Sequence, residues 1–225
     1  MSSAAAARLS LLAWLSPSFP VGAFAYSHGL ETAVDAGDVT DAATLTDWIG
    51  DLLDNGSVRN DVVLASVAIQ AAAADDEAAL AEANELALAL SPGRERLLET
   101  AAMGTAFGTA IRAAWPEAVC RLLPAGDLAY PVAFGAACGQ RGVDRAASLE
   151  SYALAFVQSL VSAAVRLGPI GQTDGQRVTA ALLPRAVALA EATTDATLDD
   201  LGGCAQRSDI AAMRHETLYS RLFRS

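Results

Sequence analysis

The sequence predicts an all-α fold, a single-domain bundle of about eight to ten helices spanning residues 1–225. Three observations carry this. Alanine is the commonest residue and 53% of the chain is apolar, a composition suited to closely packed helices, because Ala loses least on entering a helix. Apolar residues recur at spacings of three and four in segment after segment. No stretch alternates apolar and polar residues long enough to argue a half-buried sheet. The length suffices to bury a core without staples, and no linker, low-complexity insert or repeat divides it.

The elements follow in order. Residues 9–15 read as a short helix stopped by Ser16-Pro17. The next segment carries Pro17 and Pro20, then Gly22, and crowds Phe19, Phe24 and Tyr26 into eight positions; a helix is expected from about Gly22 to Ala36, ended by Gly37. Thr40 is the expected N-cap of a helix whose Leu45, Trp48, Ile49, Leu52 and Leu53 form one stripe, with Asn55-Gly56 as its stop. Residues 62–74 are apolar nearly all round and predict a buried helix, and residues 76–90 a more solvated one. Ser91-Pro92 should open a helix reaching Ala114 before Pro116, in which Gly104 and Gly108 mark a close helix contact. Asp127 should begin a helix through Tyr130, Phe134 and Cys138. Asp144 caps the strongest helix, with Leu149, Tyr152, Phe156, Leu160 and Leu167 on one face and Gly168-Pro169 at its end. Gln172 or Thr173 opens a helix to about Ala192, bent near Pro184; residues 198–207 are irregular, and Asp209 caps a final short helix.

Composition excludes several function classes. All fifteen basic residues are Arg, so no P-loop lysine, Schiff-base lysine or lysine nucleophile exists. A net charge of −11 opposes nucleic-acid binding, which needs a basic face. Cys120, Cys138 and Cys204 are widely spaced, form no CxxC, and suit buried thiols in a reducing cytoplasm. No signal peptide is read at the N-terminus, and no run is expected to approach the ~20 apolar residues of a membrane span.

Charge and aromaticity concentrate at the other end. Between residues 205 and 225 four Arg oppose Asp209 and Glu216, a net of +2 on an acidic chain. Arg214, His215, Glu216, Tyr219, Arg221, Leu222, Phe223 and Arg224 interleave charge with large apolar groups, the residue types that dominate interfaces. An end folded back on its own core would use the same residues; a docking tail over 205–225 is the expected role.

Catalytic signatures are absent: no GxGxxG, Walker A, GxSxG or HExxH occurs, and His28 and His215, the two histidines, rule out a three-histidine zinc site. Ser27, His28 and Glu31 fall within one turn and would be the residues of a small hydrolase, the alternative reading, without an oxyanion loop beside them. A metal shared by His28 and His215 would have two ligands only. Arg166 and Arg177 flank a Gly-rich corner that reads as a helix-to-helix turn before an anion site. No catalytic residue, metal ligand or cofactor site is therefore assigned.

Four runs carry a resemblance that spans nearly the whole chain: LSPSFPVGAFAYSHGLE at 15–31, YPVAFG at 130–135, SAAVRLGPIGQ at 162–172 and DIAAMRHETLYSRLFRS at 209–225. In these the chain resembles the UreF family of urease accessory proteins, departing at Leu218, where members often carry glutamine. The resemblance implies an all-α, dimeric, non-enzymatic maturation factor. It would join a UreD/UreH-type partner and the UreG GTPase on apo-urease while nickel is delivered, any GTP chemistry belonging to the partner. It also implies a tail disordered alone and ordered in the complex. The expected partner-binding residues are the eight tail residues together with Phe19, Pro20, Gly22, Phe24, Tyr26, His28 and Glu31. A helical regulator acting directly on a GTPase is the other alternative.

Overall fold

A computed structural model describes residues 3–115, 123–124 and 126–225. Helices α1 (Ser3–Trp14), α2 (Leu30–Asp35), α3 (Ala42–Asp54), α4 (Ser57–Ala73), α5 (Glu77–Ala89), α6 (Arg94–Ala114), α7 (Tyr130–Arg141), α8 (Arg145–Leu167), α9 (Gln172–Thr193) and α10 (Gln206–His215) form an all-α bundle, with no strand among the described residues. The main core gathers Trp14, Leu45, Ile49, Leu53, Phe107, Phe134, Leu149 and Val157, all fully or almost fully buried. Cys138 is buried and Cys204 exposed; Cys120 lies outside the described residues.

The order of helices matches the sequence expectation, and the boundaries shift for local reasons. The helix expected from Gly22 begins only at Leu30. A 3-10 turn at Ala23–Ala25 precedes it, and His28 (φ 57°) and Gly29 (φ 75°) then sit in the left-handed region, which interrupts helical hydrogen bonding. Asp41 rather than Thr40 caps α3, in a reciprocal pair with Thr44. Gly93 rather than Ser91 precedes α6, Ala129 rather than Asp127 precedes α7, and Ala205 precedes α10, which places Asp209 inside its first turn. Asp144 and Gly168 bound α8 as expected. Pro184 lies within α9.

The closest helix crossing is that of α4 and α7, and it falls on glycines outside the expected GxxxG step. A Cβ on Gly135 would stand 2.5 Å from the Ala65 carbonyl, and one on Gly139 2.4 Å from that of Ile69. Gly104 instead admits the Leu128 carbonyl entering α7. That contact lies within the chain. Helix α8 is the exception to the expectation on membrane spans, since its length and composition suffice to cross a bilayer; half of it is buried in the bundle, where it packs on α9 and α4.

The C-terminal segment is part of this fold. Phe223 and Ser225 are buried, and the last residues run back under the loop that leads into α2. Of the two arrangements weighed for this end, the structure has it folded back on the body, where the segment's polar backbone finds acceptors.

Candidate functional site

The fold brings both ends of the chain onto the first turns of α6. Glu95, Arg96 and Glu99 of that helix are buried, whereas Leu97 and Leu98 between them are 40% and 56% exposed. Amphipathicity is thus inverted in this stretch. Residues i and i+4 share a helix face, so Glu95 and Glu99 present two carboxylates one turn apart. Glu31 of α2 adds a third, and isolated buried carboxylates would be costly unless hydrogen-bonded or paired.

The C-terminal segment supplies those partners. His215 is fully buried, with Nδ1 2.6 Å from Glu95 and Nε2 3.0 Å from Glu31. The Leu222 and Phe223 amides donate to the two Glu31 oxygens at 2.6 and 2.9 Å. Arg221 donates to Glu95 at 2.6 Å, and the Ser225 hydroxyl to Glu99 at 2.5 Å. The Ser27 amide and hydroxyl donate to the Ser225 carbonyl, and the Arg224 amide to the Ala25 carbonyl. Glu216 accepts from the Arg94 amide at 2.9 Å, capping an α6 start that has no cap of its own. Gly29 permits the approach: a Cβ there would stand 2.7 Å from the Ala212 amide nitrogen of α10. Arg166 covers Phe223, its guanidinium carbon 4.3 Å from the ring centre, and donates to the Phe24 carbonyl.

Electrostatics follow from this crowding. Burial alone would raise Glu99, but the Arg96 guanidinium, His28 and the Ser225 hydroxyl outweigh it and hold the carboxyl at about 2. Burial, reinforced by Arg96, pushes His28 down to about 4 against the pull of Glu99. Glu31 is lowered despite burial, because His215 and the two tail amides favour its charged form.

The sequence-derived residues divide into two sets. His215, Glu216, Arg221, Phe223, Tyr26, His28 and Glu31 belong to the latch, the set of contacts that holds the C-terminal segment on α2, α6 and the loop before α2. Arg224 holds on through its backbone amide and lies beside the Tyr26 hydroxyl, while its side chain stays exposed. Phe19 is buried against Phe107, at 5.2 Å between ring centres, and serves the core. Gly22 (φ 75°) shapes the turn beneath, and Pro20 is exposed. Tyr219, Leu222, Phe24 and Arg214 point to solvent, with Tyr219 wholly exposed and Phe24 74% exposed. Leu218 is half-buried, its amide on the His215 carbonyl.

The triplet Ser27, His28 and Glu31 does not assemble into a relay. Ser27 serves the Ser225 carbonyl, His28 pairs with Glu99 at 2.6 Å, and Glu31 serves the tail. Arg166 and Arg177 do not converge either, since Arg177 pairs with Asp174 on its own helix. Glu95, Arg96 and Glu99 were not expected from the sequence. The signal was present in the RERLLE run, where a leucine pair occupies the positions between charged residues of one face.

Comparison with known proteins places this geometry in context. The family model described as UreF matches residues 39–183. The chain is 54% identical to the urease accessory protein UreF of Methylorubrum populi over 96% of this chain and 98% of that protein. It is similarly 53% identical to that of Methylobacterium radiotolerans, over 96% of both, and 54% identical to that of Xanthobacter autotrophicus, over 96% and 90%.

Proposed function

The chain belongs to the UreF family of urease accessory proteins, and on that premise we propose that it is a non-catalytic scaffold of urease maturation that acts through its latched C-terminal segment. It bridges a UreD/UreH-type partner and the UreG GTPase on apo-urease while nickel, the cargo, is inserted. It works as a homodimer in the cytoplasm. One observation carries this reading: the segment spends its polar backbone and His215, Arg221 and Ser225 on the body, which holds the chain on either side of Tyr219 and leaves the Tyr219 and Leu222 side chains at the surface. Exposed aromatic and aliphatic groups on a backbone already held in place are suited to an interface, because less backbone freedom is lost on binding.

The test separates the outward set from the inward one. Tyr219→Ala with Leu222→Ala removes one wholly exposed and one largely exposed side chain and no latch hydrogen bond, so folding stability should change by less than about 0.5 kcal/mol. Affinity for the UreD/UreH-type partner, measured by calorimetry, should fall at least about tenfold. Unchanged affinity would remove the docking role. Capture of UreG only when the UreD/UreH-type partner is present would support the bridge; UreG activated by this chain alone would favour the direct regulator.

A further inference from the structure

A cavity of about 200 Å³ opens beneath the N-terminal segment, its wall formed by α4, α6, α7 and α8. Two polar groups on that wall have hydrogen-bonding capacity left over. The Asp61 carboxyl accepts one long hydrogen bond, 3.3 Å from the Tyr152 hydroxyl, and has no ion pair among the described residues. The Nε2 of His28 is buried without a hydrogen-bond partner among the described residues. Tyr130, Phe19 and Phe156 complete a largely aromatic lining, with the His28 ring edge-on to Phe156 at 4.4 Å. Glu99, the other carboxylate on the wall, is already engaged by Arg96, His28 and Ser225.

The donor set selects the guest. Among the described residues no three or more His, Cys, Asp or Glu side chains gather as a metal site would need. An anion would meet Asp61, and of the two guanidiniums on the wall Arg96 is occupied by Glu99 and Arg166 by the Phe24 carbonyl and the Phe223 ring. His28 Nδ1 stands 2.6 Å from Glu99 and 2.5 Å from Arg96 Nη1, and Arg96 spends that nitrogen on the other Glu99 oxygen; a neutral His28 that donates from Nδ1 to Glu99 then leaves Nε2 as an acceptor, so beside the paired Arg96 the wall offers a carboxylate, an imidazole nitrogen and aromatic rings. Those are the partners of an ammonium group, which donates three hydrogen bonds and is attracted to aromatic faces. We propose that this cavity binds a small primary ammonium ion, with Asp61 as its counter-ion. The proposal does not depend on the scaffold reading above. Burial pushes the Asp61 carboxyl up to about 7, so near neutral pH guest entry expels its proton, and affinity rises with pH through that value.

Methylammonium chloride titrated into the whole protein by calorimetry, at pH 7 in buffers of differing ionisation heat, tests this. Saturable one-to-one binding with fractional proton release is expected, together with at least tenfold weaker binding to Asp61→Asn. Tetramethylammonium, which has no N–H, and potassium should bind at least tenfold more weakly. Absence of saturable heat, binding without proton release, equal binding by Asp61→Asn, or equal binding of potassium would overturn the proposal. Proton release is read on the unaltered protein, so the test stands even if the substitution disturbs folding.

Discussion

Glu31→Ala is expected to release the C-terminal segment while leaving the helical body folded. One carboxylate receives the Leu222 amide, the Phe223 amide and His215 Nε2, all within 3.0 Å, the last two shielded from water. Alanine leaves two buried donors and one part-buried donor without an acceptor, each at a cost of about 1–3 kcal/mol. The sum, on the order of 3–9 kcal/mol, matches or exceeds what the buried Phe223 ring alone returns, about 1.5–3 kcal/mol. The segment should therefore open locally rather than hold in place or unfold the bundle. Trypsin should cut after Arg221 and Arg214 at least about tenfold faster than in the unaltered protein, with far-UV circular dichroism nearly unchanged. Glu31→Gln retains one acceptor oxygen and should give an intermediate rate. Partner capture should fall with both, because Tyr219 and Leu222 are then no longer fixed. Cleavage at the unaltered rate would remove Glu31 from the latch.

The second large effect is the pH profile of stability, in which two groups oppose each other and a third dominates in acid. His28 in the unfolded chain takes a proton near 6.5, whereas the folded protein refuses it until about 4, so stability falls as pH drops through that window. Asp61 runs the other way. The folded carboxyl keeps its proton to about 7 and the unfolded one releases it near 3.8, so stability falls as pH rises between them. Each unit is worth about 1.4 kcal/mol, so both contributions are on the order of 3–4 kcal/mol and largely cancel between pH 4.5 and 6.5. Glu99, held at about 2 against 4.5 for an unperturbed glutamate, contributes stability present above 4.5 and lost as pH falls toward 2, again on the order of 3 kcal/mol. Glu31, also lowered, is lost in the same direction. Urea unfolding should give a nearly flat profile from 6.5 to 4.5 and a steep loss below. Asp61→Asn removes the opposing slope, so its stability should fall by about 3 kcal/mol as pH drops from 6.5 to 4. Parallel profiles for the two proteins would contradict this balance.

Helix order and most helix ends were legible in the sequence because they rest on local chemistry: Asp144 and Gly168 around α8, Asp76 before α5 and the Leu45–Leu53 stripe of α3 all behave as their residue types dictate. The start of α2 was not legible, because His28 takes a left-handed conformation that non-glycine residues seldom adopt, held by Glu99 from another helix. The importance of the two ends was visible in their aromatic and charged composition. Their mutual attachment was not, since it depends on Glu95 and Glu99 facing inward, where a periodicity argument would place Leu97 and Leu98. The glycines that matter most for helix contact, Gly135 and Gly139, lie in a run whose Tyr, Phe and Cys dominate its pattern.

The latch is tested most directly by amide hydrogen exchange at Leu222 and Phe223 in the protein without partners. Both amides donate to a carboxylate that is 7% exposed, and protection comparable to that of α10 is expected. Exchange of these two amides at the rate of an unstructured peptide, with α10 protected, would show that the segment is free before a partner arrives and would contradict a docking surface prepared in advance by the fold.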